Sequence, residues 1–433
     1  MIFGKLRIYL RPEGRCEDMR NRRKRFGRAA ILFSLVLLTG CGRDVPTDQD
    51  PLIHWNAALS EESPQFTDES DPAAEGPVAS SEDAGMESAG SEEVPIQNVT
   101  EETIPEDRSE YDFTIAFAGD INLDEKWCTT IYMDRQENGI YDCISPELID
   151  AMNAADICCL NNEFTYSDRG EPLPGKAYTF RAKPERVDVL EQLGVDVVTL
   201  ANNHVYDYGR DALEDTLDTL ASKEISYFGA GRNLSEAMAP VVLTVEGKTV
   251  AFVGASRAEK NKMTPQATED TPGILRCYDP EKFLTAIAQA KEQADFCIAV
   301  VHWGTEYSDR LEQVQTQTGR AYIDAGADAV IGAHSHCLQG MEIYHDKPII
   351  YSLGNYWFNE KTLDTMLLQL EIAGNDTESH VGVRVIPAVQ KGYCTQYAED
   401  ETQQRRIFDY LESISENIQI LEDGSVVLKN SPE

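Results

Sequence analysis

Five stretches of this chain share one layout: an apolar run of strand length, then side chains of the kind that hold metals. They are Phe113–Asp120 (FTIAFAGD), Asp156–Glu163 (DICCLNNE), Asp196–His204 (DVVTLANNH), Asp295–His302 (DFCIAVVH) and Asp328–His336 (DAVIGAHSH). Runs this continuous read as strands buried on both faces, the signature of parallel or mixed sheets covered by helices. In such sheets ligands bind beyond the carboxyl ends of the strands, so residues closing five separate runs can meet in one pocket. The last run adds a further constraint. His334 and His336 stand at i, i+2, and in extended chain both imidazoles share a face, able to ligate one metal or two neighbouring ones.

The strand-end residues are Asp120, Asn122, Glu163, Asn203, His204, Asp207, His302, Glu306, His334 and His336. Carboxylate, imidazole and amide oxygen together suit divalent Mn, Fe, Zn or Co, and the lack of clustered thiolates argues against a thiolate zinc site. Four of the chain's seven histidines close such runs. Singly, a strand-end histidine is most often a hydrogen-bonded structural residue; four together are not. A two-metal site needs a bridging carboxylate, which Glu163 or Asp120 can supply, and an unligated His204 beside it can protonate a leaving group. No nucleophile elbow, Walker loop or dinucleotide fingerprint stands at a strand-to-helix junction. The chemistry expected is metal-assisted hydrolysis, most naturally of a phosphoester.

The ordered series Gly119-Asp120, Asn162-Glu163, Lys176 to Pro184 (KAYTFRAKP), Ala201 to His204 with Asp207 and Gly209, His302 to Tyr307 (HWGTEY), Gly332 with His334 and His336, and Ser352 to Asn355 (SLGN) resembles the motifs of the CapA family. That family is associated with poly-γ-glutamate capsule biosynthesis and is similar to the calcineurin-like metallophosphoesterases. The resemblance implies an α/β fold, a four-layer αββα sandwich of two mixed sheets between helices. It also implies that Asp120 and His336 hold a first metal, that Glu163 bridges, that Asn203, His302 and His334 hold a second, and that His204 is the acid. With His204, Asp207 is the other candidate for catalysis, and Lys176, Arg181 and Glu306 are candidates for touching substrate. Two positions depart from the phosphoesterase pattern: Asn122 stands where that pattern has His, and Glu163 where it has Asp. Asn122 is thus a weaker ligand, and the first metal site weaker or empty.

Ahead of the first run, Arg20 to Arg28 is basic and Ala29 to Gly40 apolar. That apolar stretch is shorter than the ~20 residues a membrane-spanning helix needs, which favours a secretory signal core. Leu38-Thr39-Gly40-Cys41 resembles a bacterial lipobox, implying cleavage before Cys41, its lipidation and a tether on the outer face of the cell membrane. Met19 is an alternative start. From residue 42 to 110 there are nineteen acidic and two basic residues, the composition of an unstructured spacer. The expected layout is therefore 1–41 signal peptide, 42–110 linker, 111–358 CapA-like domain, and 359–433 strands and a helix completing it.

Within the domain, helices are expected at Ser145–Ala155, Pro184–Leu193, Arg210–Lys223, Pro280–Ala294, Leu311–Ala325 and Gln403–Asn417, with hairpins at Val241–Val253 and Glu342–Ser352. Without Cys16 and Cys41, eight cysteines remain. They are either buried free thiols or disulfides, and Cys128 with Cys143 brackets a short polar segment that suits a bridge.

A net charge of −37 excludes non-specific nucleic-acid binding and means that an anionic substrate must be captured by local positive charge. Two functions fit. One is an exported, lipid-tethered metal hydrolase acting on an anionic envelope or capsule polymer or its phosphorylated linkage, with one or two divalent ions as cofactor. The other is a non-catalytic subunit that binds polymer or membrane synthase and export partners through the Arg181 and Lys183 region.

Overall fold

This computed structural model describes residues 110–258 and 263–429. The signal segment with Cys41 and, except for Glu110, the linker lie outside the described residues. The strands of two sheets are β1 (Tyr111–Ile121), β2 (Ile157–Asn162), β3 (Val197–Thr199), β4 (Ser226–Phe228), β5 (Val241–Val245), β6 (Lys248–Ser256), β7 (Phe296–His302), β8 (Ala329–Ala333), β9 (Met341–Tyr344), β10 (Lys347–Ile350), β11 (Asn355–Trp357), β12 (Leu363–Gly374), β13 (Ser379–Lys391) and β14 (Cys394–Tyr397). The main helices are α1 (Pro146–Ala154), α2 (Arg210–Ser222), α3 (Glu281–Lys291), α4 (Gln313–Asp324) and α5 (Glu401–Ser413).

The first sheet runs β14-β13-β12-β1-β2-β3-β4, with β11 added parallel to the end of β1; the second runs β9-β10-β8-β7-β6-β5. Both are mixed. β1 to β4 pair in parallel, as do β6, β7, β8 and β10, while β12 to β14 and the two hairpins are antiparallel.

Alternation along each strand explains the near-continuous apolar runs. In β1, Phe113, Ile115 and Phe117 face the space between the sheets, with Phe252 and Ile298 opposite, while Ala116 and Ala118 face Leu148 and Met152 of α1. In β7, Ile298 and Val300 face inward, and Cys297, Ala299 and Val301 meet Phe283 and Ile287 of α3 and Tyr322 of α4. Three apolar cores thus separate four layers, helix, sheet, sheet, helix, as the resemblance implied. Side chains of both parities are buried because both faces are covered.

Four local readings need correction. The helix expected at Gln403–Asn417 is Glu401–Ser413, because Asp400 accepts the N–H groups of Thr402 (2.7 Å) and Gln403 (3.3 Å) and starts it earlier. Pro184–Leu193 divides into a 3-10 turn, Pro184–Val187, and a short helix, Asp188–Gln192. Ser145, expected as the first residue of a helix, precedes α1 instead, and its hydroxyl accepts the N–H of Tyr397 on β14 at 3.0 Å. Cys128 does not face Cys143, since its thiol donates to Glu360 at 3.3 Å.

Candidate metal centre

Parallel pairing sets the strand ends side by side. Asp120 is in register with Asn161 across a β-bulge in β1, and His302 with Ala333 at the end of β8. The chain closing β8 then turns sharply: His334 and His336 both have positive φ, 95° and 53°, as does Tyr307 beside them at 56°. Left-handed backbone costs a residue with a side chain ~1–3 kcal/mol, and it clusters where structure holds groups in a set position. Glycine is needed at Gly119 and Gly332 for a different reason. A Cβ at either would collide with a carbonyl oxygen, of Gly354 or Tyr351 respectively.

Among the described residues two groups of buried side chains able to hold a metal result: Glu163, His302 and His334, and Asp120, Glu163 and His336. Within each group the ligand atoms lie within 4.8 Å of one another, and Glu163 belongs to both. In the first, His302 Nε2 lies 2.8 Å from Asn203 Oδ1, 3.1 Å from His334 Nδ1 and 3.3 Å from Glu163 Oε1. In the second, His336 Nδ1 lies 3.2 Å from Asp120 Oδ2 and 2.8 Å from Asn355 Oδ1. These atoms converge from five strand ends in two sheets.

A divalent cation fits this donor set on three counts. Among the described residues neither Glu163 oxygen accepts a hydrogen bond, and Asp120 Oδ2 meets His336 only at ion-pair distance, although both residues are fully buried. Buried carboxylates without donors are costly unless a cation joins them. Burial, with the charges of Asp120 and Glu306 added, holds the Glu163 carboxyl well above the usual range. Burial also drives His302 down to about 3 and His334 well below an ordinary imidazole, so both are neutral, with lone pairs to offer. For His336 burial is outweighed by the Asp120 carboxylate, which raises its pKa, and His336 in turn keeps Asp120 low despite burial.

Asn122 is placed differently. Its Oδ1 accepts the N–H of Asp124 at 2.8 Å, so it shapes the turn after β1 instead of offering its oxygen to the centre. Three other amides, not singled out as ligands from the sequence, support the centre. Asn161 Nδ2 donates to Asp120 Oδ1 at 2.7 Å, Asn202 Nδ2 to Asn161 Oδ1 at 3.0 Å, and Asn355 holds His336. Asn202 and Asn355 stand in the motifs quoted above without a role assigned to them, and Asn161 lies just ahead of the Asn162-Glu163 motif.

Beside the centre, Asp207 Oδ2 lies 2.6 Å from His204 Nδ1, and Oδ1 lies 2.6 Å from Lys176 Nζ. Burial lowers the His204 pKa against the pull of Asp207. Lys176 is therefore corrected from a substrate contact to a buried buttress: it bonds Asp207 and the Asn203 carbonyl, which also accepts the Thr264 hydroxyl at 2.8 Å. Arg181 is also engaged locally, though at the surface. Its guanidinium donates to the carbonyls of Arg169 (3.0 Å) and Gly170 (3.1 Å) and lies 4.1 Å from the Tyr208 ring centroid. Glu306 is exposed, and its charge reaches Glu163, His336 and Tyr307, so it stands at the rim. Positive charge at that rim comes from Lys361, whose Nζ sits 3.4 Å from the centroid of Tyr307, itself 5.7 Å from the His336 ring.

Comparison with known proteins adds four findings. A family model described as "Bacterial capsule synthesis protein PGA_cap" matches residues 114–360. The PGA biosynthesis protein CapA of Bacillus subtilis is 32% identical over 268 residues, 60% of this chain and 68% of that one. The capsule biosynthesis protein CapA of Bacillus anthracis is 35% identical over 203 residues, 45% of this chain, and the match spans about half (49%) of its own length. Among solved structures, the NAD nucleotidase of Haemophilus influenzae is 14% identical, with a TM-score of 0.41 over 71% of this chain and 57% of its own; a likeness at that level supports no argument.

Proposed function

The chain belongs to the family of bacterial capsule synthesis proteins described as PGA_cap, and on that premise we propose that it serves capsule or envelope polymer biosynthesis as a metal-dependent phosphoesterase. One observation carries this reading: two overlapping groups of buried ligands share Glu163, whose oxygens have no hydrogen-bond donor among the described residues. Glu163, His302, His334 and Asn203 would hold one divalent ion, and Asp120, Glu163 and His336 the other. Such ions supply Lewis acidity toward phosphoryl oxygens and activation of water.

The chain's own residues do the rest. Asp207 fixes the His204 tautomer with hydrogen on Nδ1, leaving Nε2 without a hydrogen bond among the described residues. The imidazole is neutral at rest, because burial lowers its pKa. An anionic phosphoester beside it raises its proton affinity, so that it collects a proton and passes it to the leaving oxygen. Lys176 holds Asp207 in place from behind. Lys361 offers an ammonium to an anionic substrate at the rim, which a chain of net charge −37 otherwise repels.

The proposal also places the protein outside the cell, tethered through a lipidated Cys41 with the 42–110 segment as spacer. It is supported by the basic-then-apolar order before Cys41 and the acidic composition after it. The test is metal content together with hydrolysis of an aryl phosphate or phosphodiester by the purified protein. Activity absent in a His334→Ala, His336→Ala double variant supports the reading; equal rates in both would end it.

A second reading rests on Asn122, which is committed to the Asp124 turn. In that reading one half of the centre is too weak for two-metal chemistry, and the protein is a structural subunit of a polyglutamate synthesis and export complex. Ligand variants that restore surface polymer to a deletion strain would favour it, and ligand variants that fail to do so would reject it.

A further inference from the structure

We propose that Cys143 and Cys394 are a disulfide-forming pair that fastens the outer edge strand β14 to the segment leading into α1. The backbone brings them together. Ile144 and Thr395 form a parallel bridge, in which the Thr395 N–H donates to the Cys143 carbonyl at 2.8 Å and the Ser145 N–H to the Thr395 carbonyl at 2.9 Å. The N–H of Tyr397 donates to the Ser145 hydroxyl at 3.0 Å, a further bond along the same contact. In parallel pairing, the residues just before a bridged pair stand side by side on one face. Neighbouring strands lie ~4.8 Å apart, inside the ~4.4–6.8 Å between Cα atoms that a disulfide spans.

The side chains follow the backbone. Both thiols point at the turn Gly139–Asp142: Cys143 Sγ lies 3.5 Å from the Gly139 carbonyl oxygen and Cys394 Sγ 3.7 Å from that of Asp142. Each thiol is also the largest influence on the other's pKa, as neighbouring groups are. Other thiols are engaged elsewhere, Cys128 with Glu360, Cys297 with the Ile287 carbonyl and Cys337 with Ser335.

The two differ in reactivity as a disulfide-forming pair requires. Cys394 is part-exposed, and the Cys143 thiol, helped by Tyr132 and opposed by burial, brings its pKa down to about 7. Cys143 is buried, and the Cys394 thiol, then burial, pushes its pKa up. The Cys394 thiolate attacks one sulfur of a small disulfide or of an oxidoreductase disulfide, releasing one thiolate. Cys143 gives up its proton and displaces the second sulfur. In sum the pair loses two electrons and two protons, and the donor disulfide becomes two thiols.

The bridge would secure more than an edge. The Thr395 hydroxyl donates to the Tyr356 carbonyl, and Trp357 Nε1 donates to the Tyr393 carbonyl at 2.8 Å. Tyr356 and Trp357 belong to β11, whose Asn355 holds His336. The disulfide therefore ties down the strand behind one half of the centre.

The test treats the full chain with oxidised glutathione, alkylates the remaining thiols, digests it and reads the peptides by mass spectrometry. A linked Cys143–Cys394 peptide pair and a Tm raised by several degrees over the Cys143→Ser and Cys394→Ser variants are expected, the rise vanishing on reduction. Both cysteines alkylated after oxidation, or a mixture of unrelated pairings, would overturn it. Because both readouts are independent of metal and hydrolysis, failure here leaves the proposed activity standing.

Discussion

The strand-end centre and the ion cluster around Arg186 both gather several charges, and they treat them in opposite ways. Arg186 Nε donates to Glu125 at 2.9 Å and its guanidinium also reaches Asp134 at 2.7 Å; all three side chains keep contact with water. Every charge there has its partner, and such surface networks add little to stability. At the centre, Asp120 and Glu163 are fully buried, and the Glu163 oxygens accept no hydrogen bond from the described residues. Such an arrangement is costly in the bare chain and suits a bound cation. The contrast separates groups that hold the molecule together from groups that wait for a ligand.

The sharpest contrast is in rate. His204→Ala removes the proton carrier without removing a ligand, so phosphoester hydrolysis should fall ~10²–10⁴-fold while metal content stays as in the parent. Loss of metal in that variant would move His204 into the ligand set and blur the contrast. Thermal unfolding gives a second view. With metal chelated, Glu163→Gln should unfold at a higher temperature than the parent, since it removes an unpartnered buried acid; with metal supplied the order should reverse. The same order under both conditions would place Glu163 among the structurally satisfied groups.

The smallest effect belongs to the surface. Burial opposes it, but the Arg186 hydrogen bond prevails and holds Glu125 below its ordinary range. A carboxyl depressed in this way adds stability above its unfolded pKa and loses it as pH falls through the folded one. Solvent screening keeps the amount below ~1 kcal/mol. Urea unfolding between pH 6 and pH 3 should therefore show a slightly shallower acid loss for Glu125→Gln than for the parent. An acid loss of several kcal/mol that depends on Glu125 would show that the cluster is not the weak surface network described.

Much of this was legible in the chain because apolar runs report burial on both faces, and the residues that end them report the functional edge. Asp120, Glu163, His302 and His334 were readable as strand ends for that reason. Side-chain direction was not. Lys176 looked open beside Tyr178 and Phe180, yet it turns inward because Asp207, thirty-one residues on, stands behind His204. Asn355 follows a glycine in a short loop, and only the parallel addition of β11 to β1 carries it to His336. Cys143 and Cys394 are 251 residues apart, and no local pattern announces a bridge between Ile144 and Thr395. Such contacts depend on how distant segments pack, which spacing along the chain does not record.

The central claim is that one carboxylate serves both halves of the centre. Calorimetric titration of chelator-treated protein with Mn²⁺ or Zn²⁺, paired with elemental analysis, tests it directly on the parent, His334→Ala and Glu163→Ala. The account predicts two ions for the parent, weakened uptake at one for His334→Ala, and weakened uptake at both for Glu163→Ala. Undiminished binding of both ions by Glu163→Ala would contradict it.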